Sequence, residues 1–212
     1  MNNGIENIKK FYKKFNPKKS DESQLCGWKD EASARKRYNI FNRLIDLKHK
    51  SIVEVGCGYG GLFKFASHFY LELISYLGID IRKEAIDYNN QHYTTITSIT
   101  FKCQSLKEYL AKNKKQYDIM IMSGVLSHSD DIEEFTGVSK IIDTFIKILN
   151  KHKILCINFP PDFSDVREPG LTYLSAQSII SLLTYNKINY IYVRNFHEDD
   201  SLILSANKLL IE

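Results

Sequence analysis

The sequence predicts an α/β protein built on a doubly wound, mostly parallel sheet. Three observations carry that expectation. The β-branched run Ile52-Val53-Glu54-Val55 feeds directly into Gly56-Cys57-Gly58-Tyr59-Gly60-Gly61-Leu62, where glycine stands at alternate positions before an apolar, helix-like segment. Short apolar runs then alternate with helix-period segments along the chain. The second of those runs ends in an acid, Asp80, about twenty residues beyond the glycines.

Taken in order, residues 4–16 read as a short basic helix with Phe11, Tyr12 and Phe15 on one side, ended by Asn16-Pro17. Residues 17–30 are polar and read as a loop carrying Trp28. Tyr38, Phe41, Leu44 and Ile45 recur at helical spacing over 31–47. After the first strand and its glycine loop, Leu62, Phe65, Ala66 and Phe69 form a buried helical stripe. Further strands are expected at 75–81, 99–103, 117–126 and 154–159, with a helix over 83–92 and another marked by Val138, Ile141, Ile142, Phe145 and Leu149. Asp118, opening the fourth strand, is expected to be structural. An irregular excursion, 160–174, precedes a last helix around Ile179, Leu182 and Leu183. Two closing strands, 188–195 and 201–209, are joined by a polar turn containing His197.

At 212 residues the chain suits one domain, taken here as 1–212, with 1–47 preceding a core of 51–212. A hydrophobic fraction of 43% and a charged fraction of 25% exclude wholesale disorder. The net charge of +4 demands no polyanionic partner, although Lys9, Lys10, Lys13, Lys14, Lys18 and Lys19 crowd the start. A solvated helix face explains that crowding most simply. Cys26, Cys57, Cys103 and Cys156 show no metal-like spacing, so no metal is expected. The last three fall in or beside presumptive buried strands, and a reducing, cytoplasmic setting is expected. No apolar run approaches membrane-spanning length, and the lysine-rich start lacks the apolar segment of a signal peptide.

The glycine loop carries the chemistry. Glycines let the backbone take conformations closed to other residues and let a ligand approach closely, beside the free N–H groups of the following helix. Gly56, Gly58 and Gly61 satisfy the dinucleotide pattern G-x-G-x-x-G, a weak signal alone. Glu54 argues against that ligand: a carboxylate there repels a pyrophosphate and favours an ammonium or sulfonium. Glu54-x-Gly56-x-Gly58-x-Gly60 resembles the first motif of class I S-adenosyl-L-methionine (SAM)-dependent methyltransferases, of the small-molecule type. The resemblance covers roughly residues 30–210. It implies a Rossmann-like fold: a seven-stranded, mostly parallel sheet with an antiparallel last strand, helices on both faces and an N-terminal helical cap over the cofactor.

The resemblance also implies roles. Glu54, Gly56, Cys57, Gly58 and Gly60 hold the methionine part of SAM, and Arg37 of the cap meets its carboxylate. Asp80, followed by Ile81, accepts the ribose hydroxyls. Where the family commonly has an acid after the third strand, this chain has Gln104-Ser105. Ser105 and the backbone of Leu106 are then left to meet the adenine. Ser123 and Gly124 lie where cofactor and acceptor come together. His128 is the candidate catalytic residue, and Tyr12, Trp28, His128 and Arg167 are the candidate acceptor-binding residues.

Asn158-Phe159-Pro160-Pro161 does not reproduce the Asn-Pro-Pro-aromatic motif of base-amino methyltransferases, because Phe159 interrupts it and it follows the fifth strand. The expected function is therefore methyl transfer to an oxygen or nitrogen of a small metabolite, with S-adenosyl-L-homocysteine (SAH) as product and no membrane or nucleic-acid partner. Alternatives are an RNA methyltransferase using the N-terminal lysines, a non-catalytic SAM-binding subunit, and, more distantly, a nicotinamide dehydrogenase.

Overall fold

The computed structural model describes residues 3–15, 20–93, 97–165, 167–195 and 199–206. Seven strands form one sheet: β1 (Ser51–Val55), β2 (Ser75–Asp80), β3 (Ile99–Cys103), β4 (Ile119–Ser123), β5 (Ile154–Phe159), β6 (Asn189–Val193) and β7 (Asp200–Ser205). Their order is β3-β2-β1-β4-β5-β7-β6, and β7 alone runs against the direction of the other six. The order reverses between β1 and β4, so the carboxyl ends of those strands open a crevice there. The expected fold class is the observed one.

Period-two alternation along the strands builds two cores. Val53, Val55, Leu77, Ile79, Met120 and Met122 belong to one apolar cluster. Its helical cover is α6 (Leu106–Lys112), α7 (Val138–Leu149) and α8 (Ala176–Tyr185). Ile52, Tyr76, Ile119, Ile121 and Cys156 belong to the other, with α3 (Glu31–Ile45), α4 (Gly61–His68) and α5 (Lys83–Tyr93). Phe41, Ile141 and Phe145 are completely buried, and burying a side chain of this size contributes roughly 1.5–3 kcal/mol. Asp118 is structural, as expected. It accepts the Ser51 N–H (3.0 Å) and pairs with Lys153 (2.6 Å) at the amino edge of the sheet.

The sequence missed some local structure. The polar stretch before α3 contains a turn of helix, α2 (Glu22–Leu25), closed by an Asp21–Gln24 capping box. Together α1 (Asn3–Lys13), α2 and α3 form the cap. A second capping box, Ser105–Glu108, starts α6, and two 3-10 segments, Val125–Asp131 and Glu133–Phe135, follow β4. Cys103 is exposed rather than buried, because β3 is an edge strand. Lys18, Lys19, His197 and the end of the last expected strand lie outside the described residues.

Candidate functional site

A cavity of about 780 Å³ lies at the carboxyl edge of the sheet, walled by the loops after β1, β2, β3 and β4 on one side and by the cap on the other. Its size falls within the range of small-molecule sites, roughly 300–1,000 Å³. Of the residues singled out from sequence, Arg37, Gly56, Cys57, Asp80, Ile81, Ser105, Leu106, Ser123 and Gly124 line it, as do Tyr12, Trp28 and His128. Glu54, Gly58, Gly60 and Arg167 do not.

The core wall begins where β1 ends. The Gly56 and Cys57 N–H groups both donate to Ile79 O, at 2.8 and 3.0 Å, which turns the chain back over β2. Gly58 has φ +49°, and its N–H donates to Asp80 Oδ2 at 2.8 Å. A Cβ at Gly58 would lie 2.3 Å from the Cys26 sulfur, so the missing side chain admits a thiol of the cap. Gly60 caps α4 and faces Asn89 and Tyr93 rather than the cavity.

Asp80 is 5% exposed and already holds the loop together. Its Oδ1 accepts the Arg82 N–H at 2.8 Å and lies 3.4 Å from Arg82 Nε. Each carboxylate oxygen offers two acceptor directions, so one direction, on Oδ2, is still open to a ribose hydroxyl.

Three expected roles change. Glu54 points into the face beneath α3 and α4, since strand alternation places it with Ile52. It accepts a hydrogen bond from the Tyr76 hydroxyl and is 1% exposed. Burial pushes its carboxyl up to about 8 against the pull of Tyr76. It therefore presents no charge to the cavity. Ser105 Oγ accepts the Glu108 N–H (3.2 Å) as a helix cap, so its hydroxyl is engaged away from any adenine. Arg167 donates to Asp162 O and stacks on Tyr173 at 4.9 Å. The excursion instead contributes Glu168 and Leu171 to the cavity.

The cap wall is made by long-range contacts. Arg37 Nε donates to Asp199 Oδ2 at 2.9 Å, a buried pair joining α3 to the start of β7, and Trp28 stacks over its guanidinium at 4.4 Å. The same Trp28 ring would lie 3.0 Å from a Cβ at Gly124, whose φ is +76°. Arg82 reaches from the core to the cap, donating to Leu25 O (3.0 Å) and stacking on Tyr12 at 4.1 Å. Tyr12 lies 3.3 Å from His128 Nε2. Burial pulls the His128 imidazole down to about 4, so the ring is neutral at physiological pH.

Sequence reading missed Arg82, Cys26 and Asn158. Asn158 Oδ1 accepts the Gly124 N–H at 3.0 Å and fixes the turn after β4. The only sequence signal for Arg82 is its place two residues beyond Asp80. Among the described residues no group of three or more potential metal ligands comes together.

Residues 53–140 match the family model described as a methyltransferase domain. No curated protein matches the chain by sequence. Solved structures match it by fold. The N-methyltransferase NodS from Bradyrhizobium japonicum, in complex with SAH, superposes with a TM-score of 0.66 at 15% identity, over 97% of this chain and 100% of that one. Magnesium protoporphyrin IX methyltransferase (ChlM) from Synechocystis, with bound SAH, gives 0.60 at 14%, over 97% and 95%. A ribosomal protein L11 methylase from Lactobacillus delbrueckii gives 0.57 at 17%, over 84% and 80%. The sheet order is thus that of a Rossmann-like methyltransferase fold, shared with these solved structures, and residues 53–140 match a methyltransferase domain.

Proposed function

We propose that the protein transfers the methyl group of SAM to an oxygen or nitrogen of a small metabolite by in-line displacement, leaving SAH. The observation that carries this reading is the cavity itself: one wall is the glycine loop with Asp80, the other an aromatic cap. The core wall fits the cofactor. Gly56 and Cys57 bring the loop backbone to the cavity, Asp80 is the acid for the ribose, and Ile81 and Leu106 supply apolar surface for the adenine. Arg37 and the Ser123-Gly124 turn line the same cavity, and this reading assigns them to the methionine part. Bound there, the cofactor supplies an activated methyl group on a positively charged sulfur.

The chain's own contribution is position. Asn158 holds the Gly124 turn, Trp28 lies against that glycine, and Tyr12 and His128 wall the acceptor side. Holding two reactants in line and excluding water can supply roughly 7–11 kcal/mol. ChlM is a methyltransferase of magnesium protoporphyrin IX, which is consistent with a small acceptor, and NodS is an N-methyltransferase. The N-terminal lysines favour RNA less than their number suggests, since Lys9 pairs with Glu6 and Lys14 with Glu168. No helix among the described residues is long and apolar enough to cross a membrane.

Incubating the protein with methyl-labelled SAM and fractionated cell extract tests the reading. Label is expected in a low-mass fraction. Label confined to RNA, with strongly salt-dependent binding, would contradict it.

A further inference from the structure

Resting on that reading, one atom of the segment after β4, facing the cap, has a use still unassigned. His128 is 4% exposed and lines the cavity. Its Nε2 faces the Tyr12 hydroxyl at 3.3 Å, while its Nδ1 is buried with no hydrogen-bond partner among the described residues. Phe11 lies edge-on to the ring, 4.9 Å between centroids, and Tyr12 covers another side at 5.4 Å.

The proton inventory decides what Nδ1 carries. Burial raises the Tyr12 phenol above its ordinary pKa although Arg82 opposes, so the hydroxyl keeps its proton. An imidazole nitrogen is the stronger acceptor of the pair and a phenol the stronger donor, and the guanidinium stacked at 4.1 Å strengthens that donor further. Tyr12 O–H therefore donates to Nε2, and a neutral imidazole must hold its single proton on Nδ1. A buried N–H without an acceptor is costly, and a ligand that supplies one gains the difference.

We propose that Tyr12 is a positioning residue that fixes His128 as the Nδ1–H tautomer, and that this N–H is offered to a carboxylate or similar oxyanion on the methyl acceptor. Such an acceptor displaces the Phe11 edge and gives the orphan donor its partner. It brings a lone pair and no proton to lose. Its oxygen bonds to the methyl carbon as the carbon–sulfur bond breaks, the electron pair stays on sulfur, and the two charges cancel. An alcohol or ammonium would need a base, and His128 is poorly placed to be one. Burial, Arg82 and Lys14 all oppose imidazolium. The two carboxylates that favour it, Asp131 and Glu168, are already engaged by Asn7 (2.8 Å) and Lys14.

Long-range ¹⁵N–¹H NMR of the full chain, labelled in histidine and with His128 assigned by His128→Asn, tests this without a known substrate. At pH 7 the wild-type ring should carry its proton on Nδ1, and Tyr12→Phe should move the population toward Nε2–H. With SAH present, benzoate should shift the Nδ1–H resonance downfield and benzylamine should not. A wild-type proton on Nε2 overturns the proposal even if Tyr12→Phe does not fold. So does a missing benzoate shift, or a benzylamine shift as large. Calorimetry with SAH on the same samples separates the two levels: loss of SAH binding would bring down the methyltransferase reading and leave the tautomer result standing.

Discussion

The two walls of the cavity are built by different physics. The core wall hangs on strand ends whose positions the sheet register fixes, and its main contacts join paired strand ends or near neighbours: Gly58 with Asp80, Asp80 with Arg82. The cap wall has no sheet to fix it. It is held by pairs remote in sequence, Arg37 with Asp199, Tyr12 with His128 and Lys14 with Glu168. Arg82 is the joint, bonded to Asp80 on one side and Leu25 on the other.

The largest effect should follow from hitting both walls together. Gly58→Val places a β-branched side chain at φ +49° and against the Cys26 sulfur. The backbone penalty alone is about 1–2 kcal/mol. Calorimetry should detect no SAH binding to the folded variant, and wild-type affinity would mean that the cofactor does not approach this loop.

Asp80→Ala should come next. Hydrogen bonds to charged groups contribute about 1.5–3 kcal/mol each, so SAH affinity should fall at least about tenfold. The variant should also lose about 3 kcal/mol of stability in urea unfolding, because Arg82 is left buried without its carboxylate.

How much of each wall was legible follows the same division. Gly56, Asp80 and the strands announce themselves through local pattern, so the fold and the core wall could be read in advance. Glu54 was placed in the right strand and the wrong chemistry: the motif gave its position, but only the register shows its carboxylate turned toward Tyr76. Ser105 was misread because a capping box and a ligand contact need the same hydroxyl. Asn158 carried no such signal, since its partner Gly124 lies on another element, and Arg82 carried none beyond its place after Asp80, since Leu25 and Tyr12 lie on the cap. Arg167 looked like an acceptor residue because it stands on the right segment; Glu168, its neighbour, faces the cavity.

Glu54 gives a smaller, pH-dependent effect. Its folded pKa, about 8, lies above the ordinary 4.5, so the folded state binds the extra proton. Its contribution is fully present below about pH 4.5 and is lost as pH rises through about 8. Glu54→Gln should flatten that decline, measured as Tm between pH 5 and pH 9. An unchanged slope would mean that the carboxyl ionises freely. Arg167→Ala should do least of all: unchanged SAH affinity and unchanged acceptor KM. A raised KM would bring the arginine back into the acceptor wall.

The central claim is that the cavity between glycine loop and cap is a SAM site. Titration calorimetry of the full chain with SAH and, separately, with NAD tests it most directly. SAH should bind with a single site per chain and NAD should give no heat of binding. Tighter binding of NAD than of SAH would contradict the account.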